Sequence, residues 1–282
     1  MLSEARQPAW SRKLRRTGLR WRGYGSATAA LVQRREMRYG SREFLAASAL
    51  ARRLPHSGPA PALIGSLAWR PALLRGAAAV CRLPVTDLQV GKAEADAWPS
   101  RAWFAARRKL AWAVLDLPIA KDHYLTGRHR QALRTNLRHA RVRGVTSSRV
   151  SYETWFEAVS TVMRARDLTP GPEQDRPGPG QQAAFYVARA AGGEPLAFAE
   201  VALFGEFAAL AHLVSRPDRQ PDSSWARYQL HTCLVFDLGS CGARHLLTGS
   251  ALTETDGTQY FQHLLGYQAR NLRVAVTPSP VA

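Results

Sequence analysis

Residues 222–250 read DSSWARYQLHTCLVFDLGSCGARHLLTGS, and residues 253–274 continue TETDGTQYFQHLLGYQARNLRV. After a polar opening, Leu230, Leu234, Val235 and Leu238 recur at helical spacing, and Gly239 and Gly242 stop the run. The short apolar stretch from His245 to Thr248 then reads as a strand. Gln259 to Leu265 reads as a second helix that ends at Gly266, and Tyr267 to Val274 has strand character. A helix–strand–helix–strand ending sets a loop and a helix N-terminus where a substrate can sit.

Working back from there, Ala184–Ala190 and Leu196–Leu203 are strands joined by a Gly192-Gly193 turn, and Phe207–Ser215 pairs through Gly205-Glu206. Residues 169–180 carry four prolines and three glycines and read as a loop. Tyr152 to Arg166 is an amphipathic helix with Trp155, Phe156, Val159 and Val162 inward. Ser148 to Ser151 is a short strand. A helix begins at Asp122 or Thr126, runs to Arg143 and stops at Gly144, and Leu110 to Leu117 is a buried strand ended by Pro118. The order is strand, helix, strand, helix, three antiparallel strands, helix, strand, helix, strand. That order predicts an α+β fold, a mixed sheet flanked by helices.

At 282 residues and 46% hydrophobic, the chain can build a sizeable core. Its charge is split by position. Residues 1–150 hold 29 of the 39 Lys+Arg and 8 of the 21 Asp+Glu, a net of +21, while residues 151–282 carry a net of −3. One half is therefore suited to a polyanion. Ten Lys/Arg between Arg6 and Arg38 alternate with Trp10, Trp21, Tyr24 and Tyr39, which suits phosphate neutralisation with base stacking and equally suits a subdomain surface. Ser41–Leu54 reads as a capped helix. Cys81, Cys233 and Cys241 form no CxxC pair, which argues for a reducing compartment and against a structural zinc. No apolar h-region follows the basic N-terminus, and Arg70, Pro71 and Arg75 interrupt the most apolar stretch, 61–83. The expectation is a cytoplasmic protein with no membrane span.

The element order resembles that of the GNAT-like acyltransferases, in particular the FemABX-type aminoacyltransferases and the CelD-like acetyltransferase domains. The residues that carry the likeness are LAWAVLDLP at 110–118, RHRQALRTNLRHARVRG at 128–144 and FYVARAAGGEPLAFAEVALF at 185–204. YQLHTCLVFDLGSCGARHLLTGS at 228–250 and QYFQHLLGY at 259–267 complete it. The likeness covers about residues 108–276, with residues 1–107 as a basic region, a candidate reduced GNAT-like unit, and 277–282 as a tail. The resemblance implies a GNAT-like mixed sheet and direct acyl transfer to an amine. Coenzyme-A-using members hold the pyrophosphate on a glycine-rich turn before a helix. Here that place, residues 215–224, reads SRPDRQPDSS and has no glycine. Arg216, Arg219, Ser223 and Ser224 remain as candidates to bind one phosphate at the helix start.

Acyl transfer to an amine needs a base, donors for the oxyanion and a proton for the leaving group. Glu200, inside the apolar strand AFAEVAL, is the candidate base, because burial holds a carboxyl proton more tightly. The alternating outward face of a strand also accommodates it. His212 in AALAHLVS is the candidate partner, and the core also takes such a histidine. Tyr228 is the candidate acid, and His231, Thr248 and Ser250 are candidate acceptor contacts. No Ser-His-Asp or Cys-His arrangement is readable, so transfer without a covalent enzyme intermediate is expected. Arg130, Arg134, Arg138 and Arg141 recur at helical spacing, either as a phosphate track or as a solvated basic face. The leading expectation is transfer of an aminoacyl group from charged tRNA to an amine of a small molecule or peptide, with no cofactor and no metal. An acyl-CoA-dependent N-acyltransferase and a non-catalytic nucleic-acid-binding protein are the alternatives.

Overall fold

The computed structural model describes residues 78, 80–92, 108–117, 121–168, 182–217, 222–251 and 255–277. The basic arm, the Ser41–Leu54 segment, the proline-rich loop and Arg219 lie outside them. The strands are β1 (Val85–Gly91), β2 (Arg108–Asp116), β3 (Thr146–Val150), β4 (Ala183–Arg189), β5 (Pro195–Phe204), β6 (Phe207–Ser215), β7 (His245–Ser250) and β8 (Gln268–Thr277). The helices are α1 (Lys121–Leu125), α2 (Gln131–Val142), α3 (Tyr152–Arg164), α4 (Asp222–Ser240) and α5 (Asp256–Leu265), with a 3-10 turn at Arg128–Arg130 ahead of α2.

The eight strands form one mixed sheet in the order β1-β8-β2-β7-β6-β5-β4-β3. The run β6-β5-β4-β3 is antiparallel, and β6 and β7 are parallel neighbours joined by α4. This is the α+β layout, a mixed sheet flanked by helices, that the element order predicted. Strand β1 adds to it from ahead of residue 108, pairing in parallel with β8 from Val85↔Asn271 to Gly91↔Thr277. The sheet therefore takes in a segment that the sequence assigned to the separate N-terminal region.

Alternation along β4 and β5 decides which helix covers which face. Ala197, Ala199 and Val201 pack with Leu230, Leu234, Val235 and Leu238 of α4 and with Leu133 of α2, Leu264 and Leu265 of α5. On the opposite face Phe185, Val187 and Phe198 meet Trp155, Val159, Val162 and Met163 of α3. Trp155 lies edge-on to Phe198 at 5.9 Å between ring centroids. A third cluster on this second face joins Val114, Ala202, Phe204, Phe207, Leu247 and Leu272.

Local chemistry sets the helix ends. Ser151 caps α3 by accepting from the Thr154 N–H at 3.3 Å, and Thr255 caps α5 by accepting from the Thr258 N–H at 3.2 Å. Gly266 ends α5 at φ 89°, a left-handed conformation that costs glycine nothing. In β2, Leu110 and Ala111 together oppose Asn271, and the fully buried Asn271 side chain fills the irregularity. It accepts from the Ala111 N–H at 3.0 Å and donates to the Val80 carbonyl at 2.9 Å.

Candidate functional site

Strands β5 and β6 bring Glu200 and His212 together. Their register runs Ala199↔Leu213, Glu200↔His212 and then Val201↔Leu210, so Ala211 is one residue more than β5 has to match it. That extra residue is a β-bulge, and a bulge re-aims the side chains beyond it. Ala208 and Leu210 point into the α4-side core, whereas Phe207 and Ala209 point to the other face. Uninterrupted alternation would put His212 with Ala208 and Leu210. The bulge turns it instead to the face of Phe198 and Phe185, where Glu200 sits. The Glu200 Oε2 lies 3.6 Å from the His212 Nε2, with side chains 11% and 25% exposed respectively. A nearly buried carboxylate thus reaches solvent through a more accessible imidazole.

The bulge coincides with a second feature. Parallel pairing between β6 and β7 covers only Phe207↔His245, Ala208↔Leu246 and Ala209↔Leu247. Beyond Ala209 the ladder between β6 and β7 ends, while β6 goes on pairing with β5, His212 lying opposite Glu200. On the β7 side the continuation is Thr248, Gly249 and Ser250, with Ser250 opposite Trp112 of β2 and Thr248 opposite Ala113. Thr248 is half-buried.

Tyr228 and His231 stand elsewhere. Both are on α4, which covers the opposite face of the sheet from Glu200 and His212. Tyr228 is buried with its ring 5.0 Å from that of Phe261, and burial pushes its phenol up to about 12. Its neighbour Arg227 lies over the same Phe261 ring at 5.0 Å. Burial first, and Arg166 with it, lower that guanidinium to about 10. His231 is fully buried, with Nε2 at 2.8 Å from the Tyr267 hydroxyl, so the expectation that it contacts an acceptor gives way to a core histidine. Burial and the nearby Arg130 charge lower it to about 3.

The four arginines at helical spacing also separate. Arg130 falls in the 3-10 turn, whose tighter winding takes it off the face of its successors. It turns inward, donates to the Leu264 carbonyl at 2.9 Å and lies over the Tyr124 ring at 5.0 Å. There it satisfies the carbonyl end of α5, a favourable place for a cation. Arg130 thereby leaves the expected phosphate track. Arg134 donates to the carbonyls of Leu125 at 2.6 Å and Gly127 at 2.9 Å, which holds the α1–α2 connection. Arg138 and Arg141 are exposed on α2. Arg216 is ion-paired with Glu194, Ser223 is buried in the first turn of α4, and Ser224 is exposed there.

Several contacts had no local signal in the sequence. His139 of α2 stacks on Trp225 of α4 at 4.9 Å and 17°. Asp116 of β2 meets His245 Nδ1 of β7 at 3.0 Å and a bidentate Arg270 of β8. Partners so far apart in the chain become visible only once the strands are ordered. Among the described residues, no group of three or more His, Cys, Asp or Glu is placed to hold a metal ion, and no helix is long and apolar enough to cross a membrane.

No family model matches the chain, and no curated protein matches it. Solved structures with a similar arrangement include FemX, at 12% identity and a TM-score of 0.44 over 58% of this chain and 59% of that one. L-PGS from Bacillus licheniformis is 15% identical, with a TM-score of 0.42 over 57% of this chain and 58% of that one. A tandem GNAT protein from the clavulanic acid biosynthesis pathway is 16% identical, with a TM-score of 0.39 over 62% of this chain and 56% of that one. The chain spans under three fifths of each of these structures. The fold itself rests on the strand order and register of this chain.

Proposed function

We propose that this chain is an acyltransferase that moves an aminoacyl group from charged tRNA to an amine of a small molecule or peptide. The observation that carries the chemistry is the Glu200–His212 pair, set by a bulge just past the end of the β6–β7 ladder. In the proposed step the amine nitrogen attacks the ester carbonyl carbon. A C–N bond forms, and the bond to the tRNA ribose oxygen breaks. Glu200 takes the proton that the amine loses, and the Glu200–His212 pair returns a proton to the departing ribose oxygen. The amine itself attacks the ester carbonyl, so the step runs without a covalent enzyme intermediate.

The charge supports a polyanionic donor. Residues 121–149 hold eight Lys/Arg against one acidic residue, Asp122, and α2 has no acidic residue at all. Arg138 and Arg141 are exposed on it, and Arg128 is exposed in the 3-10 turn ahead of it. Phosphate contacts of this kind make affinity fall steeply with salt.

The test is binding of purified protein to charged and uncharged tRNA at two salt concentrations, with acetyl-CoA as competitor, followed by transfer to a panel of amines. Preference for the charged form, unaffected by acetyl-CoA, is expected. Glu200→Gln should keep that binding and lower any transfer rate by about 100-fold or more. Displacement by acetyl-CoA would assign the chain to the acyl-CoA-dependent class instead.

A further inference from the structure

Strand β6 continues past the end of its ladder with β7, and one side chain takes over that edge. Among the described residues, the length from His212 to Ser215 is laddered to β5 alone, from Glu200↔His212 to Ala197↔Ser215. The Arg216 N–H donates to the Leu196 carbonyl of β5 at 2.8 Å. The two groups of a peptide unit point in opposite directions. The Ser215 carbonyl therefore points away from β5, toward the edge that the β7 ladder does not reach. Ser215 is 2% exposed, a place where an unmatched carbonyl is costly. The Arg166 Nε donates to it at 2.7 Å.

Arg166 reaches β6 from the face that holds Glu200 and His212. It follows α3 by two residues, and Leu168 and Val214 both pack into the α3-side core. The chain turns there through a Schellman motif. The Leu168 N–H donates to the Met163 carbonyl at 3.0 Å, and the Asp167 N–H to the Arg164 carbonyl at 3.0 Å. Asp167 takes the left-handed position at φ 55°, where glycine is the usual residue. Such a conformation persists only where the surrounding contacts fix it. Arg166 directly precedes it and is half-buried, so its guanidinium hangs from a defined helix end.

We propose that Arg166 is a positioning residue. Its bond to the Ser215 carbonyl holds the length of β6 beyond the bulge, so that the His212 imidazole stays beside the Glu200 carboxylate. This rests on the Glu200–His212 reading above and adds to it the side chain that keeps the pair in place. A bond three residues from His212 matters because the ladder secures one edge of this length only. A displacement of about 1 Å at a reacting group costs on the order of 100-fold in rate.

The experiment uses the full chain as wild type, Arg166→Met and Arg166→Lys, each with and without Glu200→Gln. Hydrogen exchange followed by mass spectrometry needs no substrate. Residues 207–217 of Arg166→Met should exchange about 10-fold faster, while α3 exchanges as in wild type and so reports a retained fold. In transfer from charged tRNA to a panel of amino acids, peptides and polyamines, Arg166→Met should lower kcat roughly 10- to 100-fold and leave KM unchanged. Arg166→Lys keeps a donor for the carbonyl and should recover most of both. In the Glu200→Gln background Arg166→Met should cost little more, because the pair it serves is already lost. A full further loss in that background, a change in KM alone, or wild-type exchange and kcat in Arg166→Met would each overturn the proposal. If Glu200→Gln leaves transfer intact, or wild type transfers nothing, the Glu200–His212 reading fails and the positioning role fails with it, whatever exchange shows of β6.

Discussion

Stability should drop steeply as the pH falls from 7 to 5, and His231 should be a principal reason. Its imidazole is fully buried, with Nε2 on the Tyr267 hydroxyl and with no hydrogen-bond partner for Nδ1 among the described residues. A second proton would make both ring nitrogens donors, leaving Nδ1 without an acceptor among the described residues, in a buried place near the Arg130 guanidinium. The folded value is therefore lowered to about 3, against about 6.5 in the unfolded chain. A folded value below the unfolded one means that the unfolded state takes up the proton first. The contribution is complete above about pH 6.5 and is lost progressively as the pH falls toward about 3. Between pH 7 and pH 5 the loss is about 2 kcal/mol. His263 acts in the same direction, because burial, then Arg130 and His129, lower it too.

The assay is urea denaturation of wild type and His231→Gln at pH 5, 6 and 7, followed by tryptophan fluorescence. Gln does not titrate, and its amide can hydrogen-bond the Tyr267 hydroxyl. Other groups cancel in the difference between the two proteins. Wild type should lose about 2 kcal/mol more than the variant between pH 7 and pH 5, which is close to one extra proton bound on unfolding at the lower pH. Parallel stability curves would refute the reasoning, since they would mean that His231 is protonated in the native protein.

Gly266→Ala should cost about 2–4 kcal/mol in the same assay, because the new Cβ meets a left-handed backbone at φ 89° and collides with the Arg130 guanidinium. The cost should shrink in an Arg130→Ala background. Asn271→Leu should destabilise by about 2–4 kcal/mol, since it leaves the buried Ala111 N–H and Val80 carbonyl without their partner. Arg138→Ala with Arg141→Ala should reduce the salt slope of tRNA binding by about 2 in log–log form while thermal stability stays unchanged. An unchanged slope would remove both residues from the phosphate contacts.

Most of the fold was legible because periodicity is a property of neighbouring residues. The apolar spacing of Leu230, Leu234, Val235 and Leu238 is one that burial enforces, and all four are buried beneath α4. Gly144 and Gly266 mark chain reversals because each adopts a positive φ. Strand β1 escaped notice because its inward positions are Thr86, Leu88 and Val90 while Val85 faces out, so burial alternates strictly but apolar character does not, and the segment follows a longer apolar run. Its partner, β8, is 186 residues further on, Val85 pairing with Asn271, so nothing nearby in sequence announces the pairing.

The site was legible only in part, and the reason is a single residue in β6. AALAHLVS reads as one regular strand in which His212 would share the face of Ala208 and Leu210. The chain around it has no glycine or proline to betray a bulge at Ala211. On the regular reading His212 belongs with Tyr228 and His231 under α4, and Glu200 belongs to the far face alone. The bulge exchanges those partnerships, giving Glu200 an imidazole at 3.6 Å and leaving His231 to the core. A similar one-residue irregularity governs Arg130, where a 3-10 turn breaks the helical spacing that Arg134, Arg138 and Arg141 keep. In both places a backbone irregularity that residue type and spacing do not announce decides which of those side chains meet.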